Sequence, residues 1–231
     1  MANVVVLDRN AHRSLRVRPS GGDERNFVAV VLGEFAHLVA HYPILLSKEA
    51  ETGAFYCGAM LGIDTGENLF AGEAGVYRPL NLQRGPFFAA GAELAIDLES
   101  PLVGGGERLF TDAGDPTAYL KAIAALFRDL RPGLEHAKAF VATLSALKLI
   151  EPVDIDLSFD DGSSRSLEGL YTVSEEGLRR LSDGDALKLF RSGYLELCYL
   201  MIASLKQVRV LARRKNDRLI DGGRALAGAF A

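Results

Sequence analysis

The fold class of this chain is decided by residues 153–162, with the sequence VDIDLSFDDG. Apolar side chains alternate there with aspartate and serine, which is the period of a strand with one buried face. The pair Asp161-Gly162 is a typical hairpin turn, and it leads into a second β-prone run, Leu167 to Val173. The stretch therefore predicts a β-hairpin in the second half of the chain.

Helical patterns lie on both sides of this predicted hairpin. The pair Asp115-Pro116 indicates a helix start, since aspartate can cap the first turn and proline has the φ of a helix. Leu134, Ala137 and Val141 share one apolar face. The predicted helices are Thr117 to Leu130, Gly133 to Leu149, two short ones capped by Ser174 and Ser182, and a long one from Gly193 to about Arg214.

The first half of the chain is richer in strand patterns. The predicted strands are Val4 to Leu7, Ser14 to Val17, Ile44 to Leu46, Ala54 to Leu61, Phe87-Phe88 and Glu93 to Leu98. One helix is predicted from Glu34 to Tyr42, because Phe35, Leu38 and Tyr42 have helical spacing and Pro43 would end it.

Strands that concentrate early and helices that concentrate late indicate an α+β fold. We expect a single domain over residues 1–231, with an antiparallel-rich sheet in the N-terminal half and helices plus a β-hairpin in the C-terminal half. The ordered core is expected over about 2–215, with a flexible break at Ser20 to Asp23 and a flexible tail over 222–231.

The chain carries a formal net charge of −4 at pH 7 and has a pI near 5.6. Nucleic-acid binders need clustered positive charge, so this composition argues against that class. The basic stretch from Arg209 to Arg218 is interpreted as a solvated helix end, where cations complement the helix dipole.

No window of the sequence approaches the roughly 20 apolar residues of a membrane span. Met1 to Ser14 also lacks the basic start, long apolar core and cleavage site of a secretory signal. A permease is therefore excluded, and we expect a soluble, cytoplasmic protein.

Three residues form a weak candidate metal site. Glu34, His37 and His41 have i, i+3, i+7 spacing, and a carboxylate with two imidazoles can bind zinc or iron. The general base of an HExxH motif is absent. Because this face lies away from Phe35, Leu38 and Tyr42, we interpret it as a solvated helix face with both histidines directed at water, and we expect no metal or other cofactor.

Other patterns of catalytic or binding sites fail in their details. The aspartates of 154–161 suggest calcium, but the sixth position counted from Asp154 is Phe159, where an EF-hand needs glycine. The glycines at 104–106 do not open a helix, as a dinucleotide fingerprint requires. Cys57 and Cys198 are expected to be buried free thiols. No catalytic residues are assigned, and whether the chain is an enzyme stays open, with the balance toward no.

Residues 77–88, with the sequence YRPLNLQRGPFF, form the strongest candidate binding segment. Aromatic and arginine side chains provide much of the binding energy at interfaces. The alternative is an irregular loop that packs on the sheet, with Arg84 paired to a carboxylate. The candidate binding residues are Tyr77, Pro79, Arg84, Pro86, Phe87 and His12.

Several of these stretches, in order along the chain, resemble the SapC family. Residues 7–17 are similar to its opening L-N-R-x-x-H-R-D-L-R segment, and residues 34–44 to E-F-x-x-A-x-x-Y-P-I. Further similarities are N-L-F at 68–70, Y-x-P-x-x-L-R-R-x-P-F at 77–87, L-F-x-x-x-G-x-P-T at 109–117, L-I-E-P at 149–152, Ser192-Gly193 and Ser204-Leu205. Each motif is short, and their shared order over about residues 7–214 makes the set specific.

The chain departs from the family pattern at Gln83, where an arginine is usual, and at Gly85, where a tyrosine is expected. The resemblance implies a bacterial protein with no agreed catalytic activity. It also implies genetic association with surface layers, flavoprotein halogenase-like proteins, cupin-like proteins and TonB-dependent receptors.

Three hypotheses follow from the sequence and the resemblance. The first is an accessory protein that binds a protein or small ligand through residues 77–88. The second is an enzyme or small-molecule binder with a pocket near Arg84, lined also by Tyr77 and His12. The third is a surface-layer-associated structural protein.

Overall fold

The computed structural model describes residues 3–19 and 24–229, with side chains described up to residue 220. The strands are β1 (Val4–Val6), β2 (Arg16–Val17), β3 (Phe27–Ala29), β4 (Ile44–Lys48), β5 (Phe55–Met60), β6 (Phe87–Ala90), β7 (Glu93–Asp97), β8 (Glu107–Arg108), β9 (Ile150–Ser158) and β10 (Ser164–Val173). The helices are α1 (Phe35–Leu38), α2 (Leu80–Gln83), α3 (Ala118–Ala146), α4 (Glu175–Arg179), α5 (Asp183–Arg191), α6 (Tyr194–Ser204) and α7 (Gln207–Ala229), and a 3-10 turn covers Leu32–Glu34. The fold is α+β, as the sequence predicts.

The predicted hairpin is confirmed as β9 and β10, which pair antiparallel from Ser158 opposite Ser164. Its turn contains Gly162 at φ +84°, a conformation that glycine adopts without steric cost. The alternation is also as expected, because Ile155 and Phe159 are buried while Asp154, Asp156 and Asp160 are exposed. The hairpin belongs to a five-stranded sheet of order β3-β5-β4-β10-β9, whose strands all pair antiparallel.

Contacts between Cα atoms divide the chain into two compact units, each built from two segments of sequence. Unit 1 comprises the described residues of Met1–Asp23 and Arg78–Gly133, and unit 2 those of Glu24–Tyr77 and Leu134–Ala231. The five-stranded sheet belongs to unit 2. The single domain expected over residues 1–231 stays a prediction.

Unit 1 contains two small antiparallel sheets, β1-β7-β6 and β2-β8. Gly106 precedes β8 with φ +86°, and a Cβ atom there would lie 2.6 Å from the backbone oxygen of Val17. The loop at 104–106 therefore requires glycine at its last position for close backbone approach.

Helix α3 corrects two expectations about the sequence around it. It begins at Ala118 and is preceded by Thr117, whose Oγ1 accepts a hydrogen bond from the Leu120 N–H at 3.3 Å. Asp115 therefore does not cap this helix. The helix also continues through Pro132. A proline in a helix costs about 3 kcal/mol, and the burial of Leu130 and Phe140 on either side offsets that cost.

The long C-terminal helix predicted from Gly193 is two helices, α6 and α7, with a break at residues 205–206. The hydroxyl of Ser204 accepts a hydrogen bond from the Ile44 N–H at 2.8 Å and donates one to the Met201 C=O at 2.6 Å. A side chain that bonds to neighbouring backbone competes with helix continuation. The next two amides, of Leu205 and Lys206, accordingly bond three residues back.

Other local predictions have mixed outcomes. Ser174 and Ser182 are confirmed as N-caps, since their hydroxyls accept from the backbone N–H groups of Gly177 and Asp185. The helix expected from Glu34 to Tyr42 is shorter, ending at Leu38. The predicted break at Ser20 to Asp23 lies outside the described residues. The backbone of 222–229 continues α7, while the side chains of that tail and residues 230–231 lie outside the described part.

Within the described ranges, no helix is long and apolar enough to cross a membrane.

We expect Ser204→Ala to lower the free energy of unfolding by about 1–3 kcal/mol, because the buried N–H of Ile44 loses its partner. Urea denaturation followed by circular dichroism measures this change. The control is Ser145→Ala, which makes the same substitution at an exposed position in α3 and should change stability by less than about 0.5 kcal/mol. Equal effects of the two substitutions would contradict the structural role of Ser204.

Candidate functional site

A buried carboxylate, that of Glu34, lies at the centre of a polar cluster in unit 2. Its side chain is 1% exposed, so the expectation that Glu34 lies on a solvated face is wrong. Oε2 accepts a hydrogen bond from the Val31 N–H at 2.9 Å, and Oε1 accepts one from the Tyr77 hydroxyl at 3.3 Å. Burial of a charged group requires such donors. The carboxylate therefore fixes the turn that begins at Val31 and the position of Tyr77.

Aromatic side chains surround this carboxylate. The His37 ring stacks on the Tyr77 ring with centroids 5.0 Å apart. The Tyr42 hydroxyl donates to the Tyr77 C=O at 2.9 Å, and the rings of Tyr42 and Phe70 pack edge to face at 4.6 Å. Residues from three separate motifs of the resemblance, at 34–44, 68–70 and 77–87, are thus brought together.

The cluster has a marked effect on Tyr77. Burial, followed by the charge and hydrogen bond of Glu34, raises the pKa of Tyr77 to about 12. The phenol therefore stays neutral at physiological pH and acts as a hydrogen-bond donor. The weak metal candidate finds no support here, because no group of three or more His, Cys, Asp or Glu among the described residues could hold a metal ion. Glu34, His37 and His41, all within the described part of the chain, therefore do not form such a group.

The segment 77–88 is tied together by contacts of its own side chains. Arg84 donates from Nε to Asn81 Oδ1 at 3.1 Å and from a terminal nitrogen to the Phe87 C=O at 2.5 Å. Its guanidinium also lies over the Phe88 ring, 4.4 Å from the centroid. These contacts stabilise the turn between α2 and β6.

The apolar candidates of the same segment face inward. Pro79 and Pro86 are buried, and Phe87 is fully buried with its ring against that of Tyr119 at 6.2 Å. Tyr77 belongs to unit 2, whereas Arg78 to Phe88 and His12 belong to unit 1. Binding through this segment stays a prediction, and its described contacts favour a structural role.

His12 is part of a closed turn with Asp8. The ring Nδ1 of His12 accepts a hydrogen bond from the Asp8 backbone N–H at 2.9 Å, and the backbone N–H of His12 donates to the Asp8 C=O. The Asp8 carboxylate accepts from the N–H groups of Asn10 and Ala11, and these bonds lower the pKa of Asp8. The first motif of the resemblance thus encodes a tight turn.

The basic stretch of α7 is held by an acidic loop at residues 64–73. Lys215 binds Asp64 and Glu67 at 2.7 Å each, and Arg218 donates to the Asn68 C=O at 2.8 Å. Arg214 forms a bidentate pair with Glu73. The interpretation as a solvated helix end is therefore wrong for Arg214 and Lys215, because their cations bind the loop, while Arg218 is exposed.

The two cysteines are confirmed as buried free thiols. Burial raises the pKa of each thiol to about 12, so neither is a thiolate at neutral pH. Nucleophilic chemistry at Cys57 or Cys198 has no support from this environment.

A groove of about 880 Å³ in unit 2 was not anticipated from the sequence. It lies between the edge of β5, the turn that joins β4 to β5, and the second half of α3. Its lining residues are Ala29, Val30, Lys48, Glu49, Ala50, Glu51, Ala54, Phe55, Tyr56, Cys57, Leu134, Ala137 and Lys138. Leu134, expected on a buried helix face, is 37% exposed there. Helical spacing places Leu134 on the apolar face of α3, but it does not show whether another element covers that part of the face.

The fold and these contacts define an α+β protein with an open groove beside a sheet edge. The SapC family model matches residues 7–211, so the chain belongs to the SapC family. The resemblance found in the ordered motifs is thereby confirmed. No curated protein and no solved structure matches the chain.

We expect Lys215→Met to lower the free energy of unfolding by about 2–4 kcal/mol, since it leaves the largely buried carboxylate of Glu67 without its cation. Lys215 and Glu67 are only 12% and 13% exposed. Lys138→Met is the control, because Lys138 and Glu135 are both 73% exposed and such a pair contributes less than about 1 kcal/mol. Urea denaturation of both variants measures the difference.

The same network predicts a pH dependence. Hydrogen bonds from Arg165 and Lys215 lower the pKa of Asp64 below its ordinary value of 3.8. Its contribution to stability is present above that value and is lost as the pH falls through the lowered pKa. Lys215→Met should reduce this acid-dependent loss, and an unchanged acid profile would contradict the assignment.

We expect Glu34→Gln to lower the pKa of Tyr77 from about 12 toward its ordinary value of 10, because the negative charge beside the phenolate is removed. An alkaline NMR titration of ¹³C-labelled tyrosine measures it, with Tyr77→Phe for assignment. Glu168→Gln, at an exposed site in β10, is the control. In the wild type, the contribution of the neutral Tyr77 phenol to the free energy of unfolding is fully present below pH 10. It is lost as the pH rises through the pKa of about 12. A Tyr77 titration unaltered by Glu34→Gln would contradict the coupling.

Proposed function

We propose that this SapC-family chain is a non-catalytic accessory protein that binds a partner in the groove beside β5. One observation carries the proposal: an accessible cleft of about 880 Å³ in which the partly exposed side chain of Leu134 lies across from the sheet edge at Phe55 and Tyr56. Clefts of this size with apolar walls and a few polar groups are typical binding sites.

The groove is favoured over residues 77–88 as the location. The anchors proposed from sequence in that segment are turned inward, with Phe87 fully buried and Arg84 bonded to the Phe87 C=O. An interface anchor has to reach its partner, so these side chains suit a structural role better.

An enzyme or small-molecule binder with a pocket near Arg84, and a surface-layer-associated structural protein, are the alternatives. The cytoplasmic location and the link to halogenase-like flavoproteins or TonB-dependent receptors also stay predictions from the sequence and the family. The neutral thiols and the internally bonded Glu34 support binding over catalysis.

Site-specific photo-crosslinking in the native host tests the proposal. A photoreactive amino acid replaces Ala54, an exposed residue of the groove, and a matched variant carries it at Ser166, exposed in β10. We expect one reproducible covalent adduct from position 54 and none from position 166, measured by mass shift and identified by mass spectrometry.

A third variant carries the photoreactive amino acid at Gln83, in the segment 77–88. Adducts at position 83 without adducts at position 54 would move the binding site to that segment and overturn the groove. Equal adducts at positions 54 and 166 would show non-specific capture and would equally count against it.

A further inference from the structure

One edge of β5 is only partly covered by a neighbouring strand. On one side, β4 pairs with β5 from Phe55 to Ala59. On the other side, β3 pairs with it only from Gly58 to Met60. The strand β5 therefore extends beyond β3 by the residues Phe55 to Cys57, and these three residues line the groove.

The direction of the backbone groups follows from the antiparallel ladder. The Met60 N–H donates to the Pro43 C=O, and the Glu49 N–H donates to the Ala54 C=O. The backbone N–H and C=O groups of successive residues in a strand point to alternate edges. Those of Ala54 and Tyr56 therefore point toward β4, and those of Phe55 and Cys57 point toward the opposite edge. The Cys57 C=O accepts there from the Val30 N–H at 3.0 Å. The N–H and C=O of Phe55 therefore point along the groove, where β3 has already ended.

The groove has an apolar wall on one face of the sheet and is open to solvent on the other, which suits the alternating side chains of a strand. On one face of the sheet, Leu134 and Ala137 of α3 form an apolar wall. On the other face, Tyr56 and Ala29 are half-buried and open toward solvent. A strand has side chains that alternate between faces, so an occupant would place an apolar side chain against Leu134 and polar ones outward.

The charged side chains that line the groove are those of Lys48, Glu49, Glu51 and Lys138. Lys138 is paired with Glu135 at 2.8 Å, and its raised pKa reflects Glu135 first and Glu49 in addition. The ammonium of Lys48 lies over the rings of Phe55 and Tyr171, at 4.8 and 5.0 Å from their centroids. Glu49 and Glu51, which is exposed on the turn, lie together at one end of the groove. The two carboxylates complement a basic side chain of an occupant at that end of the groove.

We infer that the groove takes an extended polypeptide segment, which pairs with β5 at Phe55. An apolar side chain of the segment packs on Leu134 and Ala137, and an arginine or lysine lies at the Glu49–Glu51 end. This inference rests on the proposed function, because it names the partner class of the same groove.

A peptide selected on the protein itself is the probe. The full chain is panned against a phage-displayed library of linear dodecapeptides, and the enriched peptide is synthesised with fluorescein for anisotropy measurements. We expect enriched sequences with an apolar residue beside arginine or lysine. Leu134→Ser and Glu51→Lys should each weaken binding by about ten-fold, because one removes the apolar contact and the other reverses the rim charge. Leu187→Ser and Glu168→Lys make the same changes at exposed positions of α5 and β10, and should leave the affinity unchanged.

Backbone pairing has its own readout. Methylation of single amide nitrogens of the peptide should abolish binding at the one residue that pairs with Phe55 and be tolerated at the residues on either side, because adjacent N–H groups of a strand point in opposite directions. Equal tolerance at all positions, binding unaffected by Leu134→Ser, or no enriched peptide would each overturn the inference. Groove crosslinks at position 54 would still stand in those cases, which separates this failure from failure of the proposed function.

Discussion

The five-stranded sheet depends on the pairing of β10 with β4, in which Tyr171 lies opposite Leu46. This contact joins strands from opposite halves of the chain, and a two-stranded hairpin alone is marginally stable in water. Once β10 is paired, β9 and β10 extend a sheet that already contains β3, β5 and β4. Ser204 reinforces the same region, because its hydroxyl accepts from the N–H of Ile44 at the start of β4. The loop-closure entropy of this long-range pairing has to be offset by the whole sheet.

The buried carboxylate of Glu34 constrains the segment that joins β3 to β4. It accepts from the Val31 N–H and from the Tyr77 hydroxyl, so a turn and a distant loop are fixed by one charge. Loss of the Tyr77 hydroxyl would remove one donor from this buried carboxylate, and a hydrogen bond to a charged group contributes more than one between neutral groups. This gives a physical reason why separate motifs of the family resemblance contain glutamate and tyrosine at these positions.

The groove and the buried carboxylate have a common origin. The chain leaves the edge of β5 after Val30, because Val31 begins the turn that Glu34 closes. Past the point where Val30 leaves it, β5 extends to Phe55, and its edge there faces α3 instead of a strand. The turn that Glu34 closes therefore also leaves the β5 edge at Phe55 without a neighbouring strand on that side, whereas covered edges are the usual protection against unwanted pairing.

The sequence by itself determined the features that depend on neighbours along the chain. The period of residues 153–159 determined the hairpin, and a serine hydroxyl determined each N-cap at 174 and 182. Only the tertiary structure decided the features that local sequence patterns did not predict. Helix α3 continues through Pro132, the last predicted helix breaks after Ser204, and the groove leaves Leu134 partly exposed. Periodicity gives the face on which a side chain lies, but burial and bonding depend on elements distant in sequence that close over that face.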